Sequence, residues 1–190
     1  MKNQAMIFTM FVVSAMIIFA CSVVTGATTS QSATQPPAQP PTSDTGTGSL
    51  GRRTKTSGCV SQNALPDPDC TPGAIFPDAT VDKICVPGYS SNVRNVPESE
   101  KNQVYAEYGV KSHTAGQYEV DHLISLELGG SNSIANLWPE PAEPRPGFHE
   151  KDKVENYLHD QVCSGAISLQ QAQYEIAHDW MSVYQSMPDK

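Results

Sequence analysis

The chain has 190 residues and carries 12 Lys and Arg against 20 Asp and Glu, a net charge of −8. That balance excludes a protein held on a polyanion by bulk charge, because phosphate contacts each need a cation on the protein. The 132 residues from Cys59 to the end are enough for one core and too few for two ordinary ones.

Residues 6–24 are almost uninterruptedly apolar behind Lys2, a length ambiguous between a signal segment and a membrane span. A lipoprotein-type cut between Ala20 and Cys21 would leave an acylatable cysteine. A cut after Ala27, with Thr25 two residues before it, would be an ordinary signal cleavage. An uncleaved anchor helix is the third reading, and all three export the rest of the chain. Residues 1–27 are therefore read as a signal peptide or lipoprotein leader. Residues 28–58 hold no aromatic residue and one large aliphatic, Leu50. Such a segment cannot offset its chain entropy by burial, so it is read as a disordered Pro/Thr/Ser-rich tether, with polyproline character at residues 36–41. Arg52, Arg53 and Lys55 close it with a basic cluster.

With Cys21 removed or acylated, Cys59, Cys70, Cys85 and Cys163 remain. An even number suits two disulfides in an oxidising compartment. Of the three pairings we prefer Cys59–Cys70 with Cys85–Cys163: the first closes a short loop around "ALPDPD", the second clips the front of the domain to a later helix. No C-x-x-C pair is present, which disfavours a zinc–cysteine site.

The domain, residues 59–190, opens with turns and extended pieces rich in proline, aspartate and glycine. "KICVPGYSSNVRNV" reads as strand, turn at Pro87-Gly88, strand. From Pro97, Val104, Tyr105 and Tyr108 lie at helical spacing up to a stop at Gly109. "QYEVDHLISLEL" reads as a strand, with Tyr118, Val120 and His122 on one side and Glu119, Asp121 and Leu123 on the other. "GGSNSIAN" is a loop or turn, and "LWPEP" a brief second strand stopped by prolines. After Gly147 the period becomes 3.6. Val154, Tyr157, Leu158 and Val162 form the apolar stripe of a helix over residues 148–163, whose other side presents His149, Asp152, Lys153 and Asn156. Gly165 ends it. Ser168 with Gln171 three residues on caps a last helix, with Leu169, Ala172, Ile176, Trp180 and Val183 as its seam.

Asp121-His122 therefore sits on a strand, 14 residues before Asn136 and 27 before His149. Phosphodiester hydrolysis needs a base for water, a cation to neutralise charge, and a group to orient the base. Asp121 could face a metal while His122 addresses the water; His149, at a helix start where backbone N–H groups favour phosphate, could add a second ligand. Asn136 would hydrogen-bond the loop and so fix the His122 ring. Trp138 and the remaining histidines, His113, His159 and His178, read as packing or surface residues.

"EVDHLISLELGGSNSIANLWPEP", followed by "HEKDKVE", resembles the HNH (ββα-metal) nuclease family: Asp-His, a loop with two glycines, Asn before Leu, and a final His closely followed by Lys. The resemblance covers about residues 118–155. The tail, with Val162, Cys163, Gly165, Ser168, Leu169, Ala172, Gln173, Ile176, Asp179 and Trp180, is similar to small exported bacterial members. It implies an α+β fold with a ββα-metal core, flanking helices and a disulfide-stabilised N-terminal region. It also implies Asp121 and His149 as metal ligands, His122 as general base and Asn136 as its orienting residue. Many members carry zinc-binding cysteine pairs around the site; this chain has none, and its disulfides would replace them.

The resulting expectation is an exported metal-dependent endonuclease, secreted, periplasmic or lipid-anchored at Cys21, acting on DNA ahead of RNA. Its cofactor would be Mg or Mn, with Zn as the alternative, and Lys151 and Lys153 would contact phosphate. Charge opposes this: the domain holds 8 Lys and Arg against 19 Asp and Glu, or −11. The rival expectation is a non-catalytic exported module binding a cell-wall or protein partner on an HNH-like scaffold.

Overall fold

The computed structural model describes residues 50–188. The leader at residues 1–27, the lipid attachment at Cys21 and the tether over residues 28–49 lie outside the described residues. Residues 50–55 are tied to the domain: Leu50 N–H donates to Gly73 (3.2 Å) and Thr54 and Lys55 N–H to Asp69 (2.9 and 3.0 Å). Arg53 pairs with Glu107 and Lys55 with Asp67, the latter at 2.8 Å. Two of the three cations of the basic cluster therefore serve carboxylates of the fold.

Beyond the Cys59–Cys70 loop, the expected strand, turn and strand over residues 83–96 is replaced by two short helices, α1 (Val81–Ile84) and α2 (Tyr89–Val93). The run lacks period-2 alternation, so no strand face exists to bury. Instead Ile84 anchors α1 in the core at 2% exposure, and Gly88 at φ +83 opens α2, a conformation glycine adopts without steric cost. The helix expected after Pro97 is α3 (Glu98–Glu107), with Glu98 and Glu100 in its first turn, where the helix dipole favours negative charge.

Strand β1 (Tyr118–His122) pairs antiparallel with β2 (Leu137–Pro141), Asp121 opposite Trp138 and His122 opposite Leu137. Both strands are edges, which is why β2 tolerates Pro139 and Pro141. The strand expected to run on to Leu128 stops at His122. Leu123 and Ile124 are consecutive and both buried, which strand alternation cannot satisfy, and the Ser125 hydroxyl caps a 3₁₀ turn over Leu126–Leu128. A second 3₁₀ turn, Ile134–Asn136, leads into β2.

Helices α4 (Phe148–Cys163) and α5 (Leu169–Ser186) follow, the latter capped by Ser168 and kinked at Asp179. Val154, Leu158 and Val162 of α4 meet Ala172, Ile176 and Trp180 of α5 in one core with Trp138. Tyr157, expected in the stripe, is half-buried. Only glycine fits where α4 begins, because a Cβ on Gly147 would lie 2.3 Å from the Pro141 carbonyl. That close approach sets the start of α4, and so His149, against the end of β2.

The fold is thus mixed α and β with a two-stranded sheet, its described elements lying in one compact unit. Disulfides Cys59–Cys70 and Cys85–Cys163 follow the preferred pairing, with Cα separations of 6.1 and 5.7 Å. They are consistent with an oxidising environment. No helix among the described residues is long and apolar enough to cross a membrane.

Candidate functional site

The His122 ring is 2% exposed. Its Nε2 lies 3.2 Å from Asn132 Oδ1. The Asn132 amide has a fixed orientation, since its Nδ2 donates to the Val93 carbonyl (2.7 Å) and its Oδ1 accepts from Asn95 N–H (3.2 Å). An oxygen facing the ring requires the proton on Nε2, which leaves the lone pair on Nδ1. Burial, partly opposed by the Asp121 carboxylate, lowers the imidazole to about 4, so the ring is neutral at pH 7. The residue that orients His122 directly is Asn132, not Asn136.

Asn136 instead braces the loop. Its Oδ1 accepts from Ile124 N–H (2.9 Å), and its Nδ2 donates to the carbonyls of Ile124 (3.0 Å) and Ser131 (2.9 Å). Its backbone carbonyl accepts from Leu123 N–H at 2.7 Å. The turn that brings Gly130 against Ile124 is so tight that a Cβ there would sit 1.7 Å from the Ile124 oxygen. Asn136 therefore acts on His122 only through the backbone that follows it.

Asp121 faces Lys151. The Lys151 ammonium is wholly buried and donates to Asp121 Oδ2 (2.7 Å), the His122 carbonyl (2.9 Å) and Glu155 Oε1 (2.5 Å). Glu140, 1% exposed, stands 3.9 Å from the same ammonium, its carboxyl beside that of Asp121. Burial opposes the charged forms throughout this group, but the balance differs by residue. Burial is the largest influence at Asp121, but Lys151, the Glu140 hydrogen bond and His122 together exceed it and hold the carboxyl low. Burial prevails at Glu140, which is raised well above the ordinary carboxylate range, and at Glu155, raised to about 7. For Lys151 the surrounding carboxylates outweigh burial and keep the amine protonated. Expected as an exposed phosphate contact, Lys151 is instead an internal counter-ion; Lys153 is exposed on α4.

Asp121 opens on a cleft of about 410 Å³ that also takes Arg94, Lys101, Tyr105, Tyr118, Asp152 and Glu155 into its lining. Burial, then repulsion from Asp121, raises the carboxyls of Glu119 and Asp152, and His149 pulls both back. His149 is not in the lining of this cleft; its influence reaches Glu119 and Asp152 only. His149 is exposed, its ring against Phe148 at 4.2 Å between centroids. Carboxylates and imidazole are ligands of the right kind for a hard or borderline divalent cation. Among the described residues no three ligand atoms of the cleft lie within 4.8 Å of one another; Cys85, His159 and Cys163 do, and that group could hold a metal ion. While Cys85 and Cys163 are joined as a disulfide, neither sulfur is a thiolate able to bind one.

Sequence reasoning missed Asn132, Glu140, Glu155 and Arg94. Two signals were present: Asn132 and Asn136 are both asparagines of one loop, and Glu155 follows Lys151 at helical i,i+4 spacing. Glu140 and Arg94 carried none. No protein-family model, curated protein or solved structure matches the chain.

Proposed function

We propose that this chain is an exported, metal-dependent endonuclease of the HNH type that hydrolyses phosphodiester bonds in nucleic acid, DNA ahead of RNA. What supports the reading is the arrangement of β1, β2 and α4, with Asp121 and His122 at the strand end, Asn136 bracing the loop between the strands and His149 at the helix start. His122 Nδ1 is the base that takes the proton of the attacking water. A group lowered to about 4 is a weak base at pH 7, and negative charge entering with a phosphate raises it toward the working range. Arg94 and Lys101 line the cleft and meet the phosphate oxygens. Asp121 and His149 would hold a divalent cation, which when bound would supply Lewis-acid stabilisation of the departing oxygen.

Two observations favour the rival, a binding module without catalysis: the His122 ring is buried and Lys151 already neutralises Asp121. Cleavage of plasmid DNA and of a single-stranded RNA with Mg or Mn separates the two. The nuclease reading expects cleavage by the wild type and none by His122→Ala, with an unchanged far-ultraviolet circular dichroism spectrum. Absence of cleavage by the wild type, or equal activity in both proteins, rejects it.

A further inference from the structure

The two disulfides differ in setting. Cys59 and Cys70 are 5% and 0% exposed. Cys163 is exposed at the end of α4, Cys85 half-buried at the end of α1, and the imidazole of His159 lies one turn before Cys163 with Nε2 3.4 Å from its sulfur. Three ligand atoms of Cys85, His159 and Cys163 fall within 4.8 Å of one another. Nε2 also reaches the Ile84 carbonyl at 3.1 Å, and Nδ1 faces Asp160 at 4.0 Å, so both ring nitrogens have polar neighbours that orient the ring.

We propose that the Cys85–Cys163 bond is a reducible lock on a metal site, and that the reduced pair with His159 binds a thiophilic divalent cation of the zinc type. The reductant is a dithiol. Its thiolate attacks the exposed Cys163 sulfur to form a mixed disulfide, and Cys85 leaves as a thiolate that takes up a proton. The dithiol's second sulfur then displaces Cys163 and closes the dithiol's own disulfide, so two electrons pass from the dithiol to the protein. On metal binding the two thiols release their protons, the Nε2 proton that faces the Ile84 carbonyl is given up for one on Nδ1, toward Asp160, and Nε2 turns from that carbonyl to become a ligand. Two sulfurs and one nitrogen leave a fourth, solvent-facing position for water. Ile84 and Val162, each next to a cysteine and each 2% exposed, keep α1 and α4 seated in the core when the covalent link opens. The inference is independent of the nuclease reading.

The test reduces the whole chain anaerobically with dithiothreitol, removes the reagent by gel filtration and titrates with Co(II) alone. The expected result is thiolate-to-cobalt charge-transfer and tetrahedral d–d bands saturating at one ion per chain, none in the oxidised protein, and binding weaker by about tenfold or more in His159→Gln. Because reduction also exposes the other pair, mass spectrometry after alkylation should find Cys85 and Cys163 protected by Zn(II) while Cys59 and Cys70 are not. Circular dichroism follows the fold at each step. Absent bands, protection confined to Cys59 and Cys70, unchanged affinity in His159→Gln, or a reduced chain that unfolds equally with and without metal each overturns the proposal.

Discussion

Lys151 and His122 show how burial sets the chemistry of single residues. The Lys151 ammonium is the counter-ion for Asp121 and Glu155 and the nearest cation to Glu140. Removing one partner of a buried ion group leaves its charges uncompensated, so Lys151→Met should destabilise the domain by about 3–5 kcal/mol. Urea midpoints measure this, and a loss below about 1 kcal/mol would show that the surrounding carboxyls simply take up protons. His122 makes a pH prediction for the metal-free protein. Its folded value of about 4 lies below the unfolded 6.5, so between these limits the unfolded chain binds more protons and stability falls as pH drops through the window. The contribution is complete above pH 6.5 and amounts to about 3 kcal/mol. Glu155, raised to about 7, has the opposite sign over its own window, so the informative quantity is wild type minus His122→Asn. That difference should shrink from pH 7 to pH 4; a constant difference would mean the ring is not buried neutral.

Among the elements, α4 and β2 were legible because each obeys one rule over its length. Val154, Leu158 and Val162 recur at the helical period, Gly147 and Gly165 bracket them, and the prolines of "LWPEP" permit only an edge. The strand–turn–strand expectation over residues 83–96 failed because Ile84 and Cys85 are held by partners more than 70 residues away in sequence, His159 and Cys163. Local pattern cannot see such tethers. β1 was predicted too long for a similar reason: Ser125 and Asn136 fold the apolar run after His122 into the core. The loop between the strands depends on the Asn136 amide, whose loss leaves buried groups of Ile124 and Ser131 without partners. Asn136→Ala should therefore cost about 2–4 kcal/mol and, under the nuclease reading, should lower activity through loop disorder. Thermal unfolding checks the first, and an unchanged melting temperature would deny the bracing role.

For the molecule as a whole, charge is the governing constraint. At −11 over residues 59–190 the domain repels a long polyanion, and screening removes that repulsion only beyond about 8 Å at physiological salt. The structure tightens the problem, because Arg53, Lys55 and Lys151 are paired internally; Arg94 and Lys101 at the cleft partly offset it. The sequence placed Asp121 and His122 on a strand and His149 at a helix start, and the structure has them on β1 and in the first turn of α4. The sequence could not foresee that the ring of His122 would be covered or that an ammonium would neutralise Asp121, since both follow from how α2, α4 and the loop pack together. The proposed activity turns on whether the Asp121 cleft takes a divalent cation. Thermal unfolding of the oxidised protein, stripped with EDTA and titrated with Mn(II), measures this directly. Wild type should gain about 3 kcal/mol at a hundredfold excess over Kd, and Asp121→Asn should gain nothing relative to its own stripped state. No stabilisation of the wild type, or an equal gain in the variant, would contradict it.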